Sequence, residues 1–257
     1  MSLNSYYTPK LPDAMYVYDT PATNIQLLTL DQKKSLVDST YYGINGGWFN
    51  LGEPGEIGRG LLNITYCDGG PVGSATYGDP PRDGTAQTVG DAAIFYNGVN
   101  KTLKEVIAES ATDITGVTNT KSWAQGGIAL SLGKREWTNR KSVSANQAAN
   151  AWTALVADLT TTRVHLIVTK DPSAKKTITQ QDFRDAIMEY FDIPESSSVS
   201  SRYKGILLDG SDSTQMKVLN DYGNKVTIYN SKANRSLCSI VALRNKKILI
   251  FSSWRLT

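Results

Sequence analysis

Histidine is nearly absent: the 257 residues hold one, His165. A Ser-His-Asp or Cys-His nucleophilic arrangement would have to be built on that single ring. It sits in RVHLIVT, Arg163–Thr169, a β-branched run that reads as a strand, so His165 is expected in a core or on a sheet surface. Cysteine is scarce too. Cys67 and Cys238 are too few for a disulfide scaffold; one bridge and two free thiols both stay open, and with them the redox compartment. No Cys/His set has zinc-ligand spacing, no HExxH occurs, and neither a GxSxG elbow nor a GxxxxGK[ST] phosphate loop is present. No metal or other cofactor is expected. No run approaches the roughly 20 apolar residues that cross a bilayer. The opening residues, MSLNSYYTPKLPDAM, lack a basic stretch leading into an apolar one. The chain therefore reads as soluble, with a secreted or cell-envelope location left open. An excess of one charge is missing as well, since the net charge is +3. Nucleic-acid binders gather a stronger basic bias on one face, so no nucleic-acid partner is expected. The densest basic patch, Lys134, Arg135, Arg140 and Lys141, reads as a solvated loop face. Oligomeric state is not legible.

A hydrophobic content of 40% and 20% charged residues do predict a packed core, and the length fits a single domain over 1–257 with residues 1–30 as an N-terminal arm. Loops are expected where Gly, Pro and Ser crowd, at Asp68–Gly84 and Pro194–Ser201. Strands are expected at Arg163–Thr169, Tyr203–Leu208 and Lys225–Tyr229, with a hairpin joining Ser239–Leu243 to Lys247–Phe251; Ala151–Leu159 fits strand or helix by pattern and is favoured as a strand paired with 163–169. Thr179–Phe191 has helical apolar spacing and a cap pair, Thr179 with Asp182. Lys101–Glu109 and Asp31–Asp38 are expected as shorter helices. The fold class predicted is α+β (mixed α/β): a mixed, largely antiparallel sheet core with a few flanking helices.

The chemistry-bearing residues gather in three segments. Tyr42–Asn50, YGINGGWFN, offers the Asn45 amide beside Gly46 and Gly47, with Trp48 and Phe49 as aromatic faces or core. Asp209–Thr214, DGSDST, delivers two carboxylates and three hydroxyls at the end of an apolar strand. Asn234-Arg235-Ser236 precedes the strand Ser239–Leu243. Asp-Gly after a strand is also an ordinary turn, so no single segment carries a function alone.

Taken in order, YGINGGWFN, ILLDGSDSTQM and NRSLCSIVAL resemble the phosphodiester glycosidase family over residues 40–245. The matching positions are Gly43, Asn45, Gly46 and Phe49; Leu208, Asp209, Gly210, Ser213, Thr214 and Met216; and Arg235. Gln125-Gly126-Gly127 ahead of a strand and HLIVTKD add to the likeness. The resemblance implies a hydrolase that cleaves an N-acetylglucosamine-like sugar-1-phosphodiester at the anomeric carbon. It implies Asp209, with Asp212 as alternative or second carboxylate, as the catalytic group. Arg235 would hold phosphate. Asn45, Gly46, Gly47, Gly210, Ser213, Thr214 and Gln125 would surround the sugar and its phosphate. A glycosyl-phosphate or polysaccharide is the implied substrate, with cell-wall polymer, exopolysaccharide and nucleotide sugar all open. Two departures stand out. Gly210-Ser211-Asp212 replaces the family's three glycines, and Ala151-Trp152-Thr153-Ala154 lies where many members carry an Arg. They favour the alternative, a non-catalytic carbohydrate or cell-wall-polymer binding protein on the same fold.

Overall fold

The computed structural model describes residues 4–7, 15–50, 60–73, 83–87, 92–137, 151–172 and 178–245. The first strands are β1 (Asn4–Tyr7), β2 (Met15–Pro21), β3 (Ile25–Thr29), β4 (Gly43–Asn45), β5 (Phe49–Asn50) and β6 (Gly60–Leu61). Then come β7 (Thr65–Cys67), β8 (Gly70–Pro71), β9 (Ala92–Asn97), β10 (Thr102–Val106) and β11 (Trp123–Ala129). The later elements are β12 (Thr153–Asp158), β13 (Arg163–Thr169), helix α1 (Gln180–Tyr190), β14 (Tyr203–Leu207), β15 (Gln215–Leu219), β16 (Lys225–Tyr229) and β17 (Ser239–Leu243).

Two antiparallel sheets stack face to face, and β5 and β6 form a separate two-stranded antiparallel pair. The larger has ten strands in the order β1-β2-β13-β12-β14-β11-β7-β8, with β9 also on β11 and β10 on β9. The smaller has five, β16-β15-β4-β17-β3. Side chains alternate across each strand, so one set from each sheet meets in the middle. Leu155, Val164, Leu166 and Ile206 come from the large sheet; Ile44, Met216, Val218 and Val241 come from the small one. The other face of the large sheet is buried as well. Val156, Ile167 and Leu207 point away from the sandwich and pack under Phe183 and Ile187 of α1. Strands covered on both faces read as near-continuous apolar runs, as TALVAD does; RVHLIVT begins with half-buried Arg163 and His165 on one face and is buried throughout from Leu166.

The expectation of several flanking helices is overturned. α1 is the single α-helix among the described residues, beside three short 3₁₀ turns, and the fold is β-rich rather than mixed α+β. Lys101–Glu109 contains strand β10, which pairs with β9 as a hairpin. Asn97 accepts from the amides of Val99 and Asn100 and Lys101 takes φ 55°, so turn chemistry overrides the helical spacing. Asp31–Asp38 forms turns, with Asp31 and Gln32 at φ 52° and 55°, a conformation no α-helix accommodates. Within residues 1–30, Met15–Pro21 and Ile25–Thr29 are paired strands of the two sheets. Lys247–Phe251, Arg140 and Lys141 lie outside the described residues. Both cysteines are free thiols.

The cap of α1 forms as its sequence predicts. Thr179 accepts from the Asp182 amide, and the Asp182 carboxylate accepts from the Thr179 amide. Its C-terminal Phe191 stacks edge-on against His165 at 4.7 Å. His165 lies 3.5 Å from the Asp19 carboxylate without a hydrogen bond to it, because Arg163 grips both Asp19 oxygens. Burial lowers the His165 pKa and keeps the ring neutral, despite the opposing pull of Asp19. The unfolded chain binds a proton at His165 before the folded one does, so this contribution to stability is present above pH ~6.5 and is lost as pH falls through the lower folded value. Thermal melts at pH 7.5 and pH 5 should therefore show a larger acid loss for the wild type than for His165→Gln; equal losses would contradict a buried neutral ring.

Candidate functional site

Asn45, the last residue of β4, is 1% exposed and uses every hydrogen-bonding position it has. Its Oδ1 accepts from Thr153 Oγ1 at 2.8 Å and from the Gln215 amide at 3.1 Å. Its Nδ2 donates to the Asp209 carbonyl at 2.8 Å and to the Gly46 carbonyl at 3.2 Å. One side chain thus ties together β4, β12, the start of β15 and the loop that carries Asp209. No donor or acceptor on Asn45 is left over for a ligand, so its place is behind the site and its work is positioning.

The Asp209 loop is held from other sides as well. The Leu208 amide donates to Thr153 O at 2.8 Å and the Ser211 amide to Ala151 O at 2.7 Å. A Cβ on Gly210 would stand 2.8 Å from the Trp152 ring. The segment where the family's Arg was expected therefore packs against the loop with an indole, whose Nε1 donates to Ile178 O at 2.7 Å. Gly46 is equally confined: a Cβ there would be 2.2 Å from Ser239 Oγ, and at Gly47 2.6 Å from Asn63 Oδ1. These three glycines let protein approach protein and do not open room for a ligand. Trp48 and Phe49 are half-buried against core clusters.

Asp209 itself is only partly covered at its surface, but its carboxyl is deeply desolvated, and its pKa is pushed up from 3.8 to about 6. Desolvation is the largest cause and outweighs three opposing pulls. These are the nearby Ser213 hydroxyl, the Gly210 amide donating to Oδ1 at 2.9 Å, and the positive field of Arg235. Ser213 Oγ lies close enough to affect the carboxyl yet makes no hydrogen bond of full geometry; Thr214 Oγ1 beside it in sequence is also buried and unpartnered. Unmade hydrogen bonds on buried hydroxyls are uncommon and mark places where water or a ligand completes the set.

Asp212 differs from Asp209. It sits on the 3₁₀ turn Ser211–Ser213, where Ser211 takes φ 57°. Its Oδ1 accepts from Asn230 Nδ2 at 2.8 Å, and its Oδ2 lies 3.3 Å from Arg235 Nη2. Arg235 is one-third exposed, and among the described residues this is its one side-chain hydrogen bond. Its backbone is fixed by Gln215, whose Nε2 donates to Arg235 O at 2.7 Å while its Oε1 accepts from Leu36 N at 2.8 Å. Gln125 is fully buried within β11 rather than ahead of a strand. Its Nε2 donates to Gly126 O at 3.0 Å and its Oε1 has no partner. His165 and the Asp19–Arg163 pair belong to the β2–β13 pairing, and none of the three is among the groups that shift the Asp209 carboxyl. No group of three or more His, Cys, Asp or Glu residues suited to a metal occurs among the described residues. No helix among them is long and apolar enough to cross a membrane.

Asp209, Ser213, Asp212 and Arg235 are thus brought together. Asn45 joins them from beneath, and Gln215, Thr153 and Trp152 are supports that the motif reading passed over. The signal for Gln215 was present: a polar residue opening the apolar strand QMKVL.

The site stands on a two-sheet antiparallel β fold, at the loop where β14 leaves the large sheet and turns into the small one. No family model matches the sequence, and no curated protein matches it. Solved structures do. The catalytic domain of zebrafish N-acetylglucosamine-1-phosphodiester alpha-N-acetylglucosaminidase, auto-inhibited by its pro-peptide, superimposes with a TM-score of 0.58 at 16% identity. The match covers 94% of this chain and 81% of that one. A hypothetical protein from Synechocystis matches at a TM-score of 0.46 and 14% identity, over 94% of this chain and 61% of that one. At 16% identity the first likeness establishes a distantly shared fold, one that a glycosidase catalytic domain also uses.

Two expected outcomes test this geometry. Asn45→Ala leaves the Asp209 carbonyl and the Gln215 amide without their partner and should cost about 3 kcal/mol in urea unfolding; a cost under about 1 kcal/mol would contradict the hub. Asp209→Asn should do the opposite at pH 7.5. A raised folded pKa means that the carboxyl favours the fold below pH ~4 and loses that contribution as pH climbs through about 6. The neutral amide should therefore stabilise the fold by about 1–3 kcal/mol at pH 7.5 and by little at pH 4.

Proposed function

We propose that the chain is a hydrolase of sugar-1-phosphodiesters, N-acetylglucosamine-like, with Asp209 as its acid–base carboxylate and Arg235 as its phosphate clamp. The observation that carries this reading is the pairing itself: a desolvated carboxyl of pKa about 6 within the field of an arginine that uses one of its five N–H donors among the described residues. The fold supports it, since the zebrafish domain of the same fold carries that phosphodiester in its name.

The chemistry follows from the leaving group. A phosphate monoester departs readily, so protonating it contributes less than at an ordinary glycoside. The difficult part is the positive charge that develops on the sugar ring and the water that must attack it. Ionised Asp209 stabilises the first and accepts a proton from the second. Arg235 offers its remaining donors to the phosphate oxygens as negative charge collects there. Ser213 and Thr214 supply hydroxyls that lack partners and suit sugar or phosphate oxygens. Asn45 positions Asp209 without touching substrate, and Gly46, Gly47 and Gly210 allow the close packing that fixes the loop. Gln125 presents an unpaired acceptor on β11 and is the least directly linked member of the set.

A second reading has its own support. Asp212 occupies Arg235, and Ser211 and Asp212 fill a loop that the family keeps as glycine, as expected of a carbohydrate-binding protein that lost turnover. Release of free sugar from the methyl ester of N-acetylglucosamine-1-phosphate separates the two. The hydrolase reading expects kcat/KM to rise through pH about 6 and Asp209→Asn to lose at least about a hundredfold with the fold intact. Binding of the ester without release by the wild type would favour the binding protein; near-normal turnover by Asp209→Asn would remove Asp209 from the mechanism.

A further inference from the structure

We infer that Asp212 is a specificity-determining residue: it acts as a built-in competitor for Arg235, admitting a singly charged phosphodiester and disfavouring the doubly charged phosphomonoester that hydrolysis releases. The inference rests on the reading of Arg235 as the phosphate clamp.

Asp212 is held in place rather than free to swing, because Asn230 Nδ2 donates to its Oδ1 at 2.8 Å. The carboxylate thus presents Oδ2 to Arg235 Nη2 at 3.3 Å, a loose single contact where a tight pair would be bidentate and shorter. Both side chains remain about one-third exposed, so a ligand reaches them from solvent. The backbone pays for this placement with Ser211 in the left-handed region at φ 57°, where glycine would be unstrained.

The charge arithmetic gives the consequence. Arg235 carries one positive charge and Asp212 one negative, so the pair is neutral before Asp209 is counted. With Asp209 ionised the set is −1. A phosphodiester adds one negative charge to it and a phosphomonoester dianion adds two. Repulsion between Asp212 and the bound anion therefore doubles from substrate to product, and at separations of a few ångströms in a partly buried site each charge matters strongly. The diester gains the open Arg235 donors while the monoester is pushed out, so product leaves instead of blocking the site. Specificity of this kind comes from a repulsive element set beside an attractive one.

The test is direct binding by calorimetry at pH 8 of two probes, dimethyl phosphate as the monoanion and methyl phosphate as the dianion. The proteins are the wild type, Asp212→Asn, Asp212→Gly and Arg235→Gln, each checked for folding by thermal melt. Asp212→Asn is isosteric, and its carbonyl still accepts from Asn230. The expected result is methyl phosphate binding at least tenfold tighter to Asp212→Asn than to the wild type, with a smaller gain for dimethyl phosphate. Arg235→Gln should weaken both probes. Equal affinity of Asp212→Asn and the wild type for methyl phosphate, with Arg235→Gln still weakening both probes, would overturn the role of Asp212 and leave the Arg235 clamp standing. Loss of affinity in Asp212→Asn would make Asp212 a ligand support and equally overturn it. If Arg235→Gln changes neither probe, or no folded protein binds either probe, the clamp itself falls, and the role of Asp212 with it. Asp212→Gly adds a check on the loop around the carboxylate, since it removes the charge and the Asn230 contact together: affinity matching Asp212→Asn assigns the effect to charge, whereas a gain confined to the glycine variant assigns it to the loop and overturns the proposal.

Discussion

Four hydrogen bonds on the buried amide of Asn45 fix the relation between the two sheets at the point where the chemistry is placed. Thr153 belongs to the large sheet, Gln215 to the small one, and the Asp209 carbonyl to the loop between them. A buried amide with all its bonds made is strongly directional, and losing any partner leaves an unsatisfied group in a low-dielectric setting. Hydrophobic contact between the sheets is large but tolerates sliding. The amide does not, and it converts two stacked sheets into one arrangement of the Asp209 loop.

That loop then operates under tension between opposing electrostatic effects. Burial drives the Asp209 carboxyl toward its neutral form, while Ser213, the Gly210 amide and Arg235 draw it back toward the charged one. Burial wins, and the outcome near 6 leaves a group able to exchange protons at neutral pH. Asp212 lies on the same loop with a different fate, because Asn230 and Arg235 engage it directly. Two carboxylates three residues apart thus acquire separate roles through their neighbours: one is desolvated and available, the other paired.

Much of the fold was legible where local signals were strong. Arg163–Thr169 and Lys225–Tyr229 are bounded by turn residues and form the expected strands, and the Thr179–Asp182 cap starts the helix where its sequence places it. Lys101–Glu109 failed because a short stretch with apolar residues at mixed spacing fits either period, and the decisive features were the Asn97 turn and pairing to β9. The site was legible as positions and less so as roles. Asn45 looked like a ligand contact because three of its four partners lie 108 to 170 residues away along the chain. Gln215 and Thr153 were hidden for the same reason: inside apolar strands they read as sheet, and their purpose appears only once the strands are side by side. Glycines that seemed to make room for a ligand instead let one segment press on another.

The account depends most on the state of the Asp209 carboxyl, because the positioning by Asn45, the pull of Arg235 and the proposed chemistry all meet there. A carboxyl-carbon NMR titration of the wild type measures it, with the resonance assigned by its absence in Asp209→Asn. The account predicts an apparent pKa of about 6. A midpoint at the ordinary carboxylate value near 4 would mean that the loop is solvated and that Asp209 is a turn residue and not a poised acid–base group.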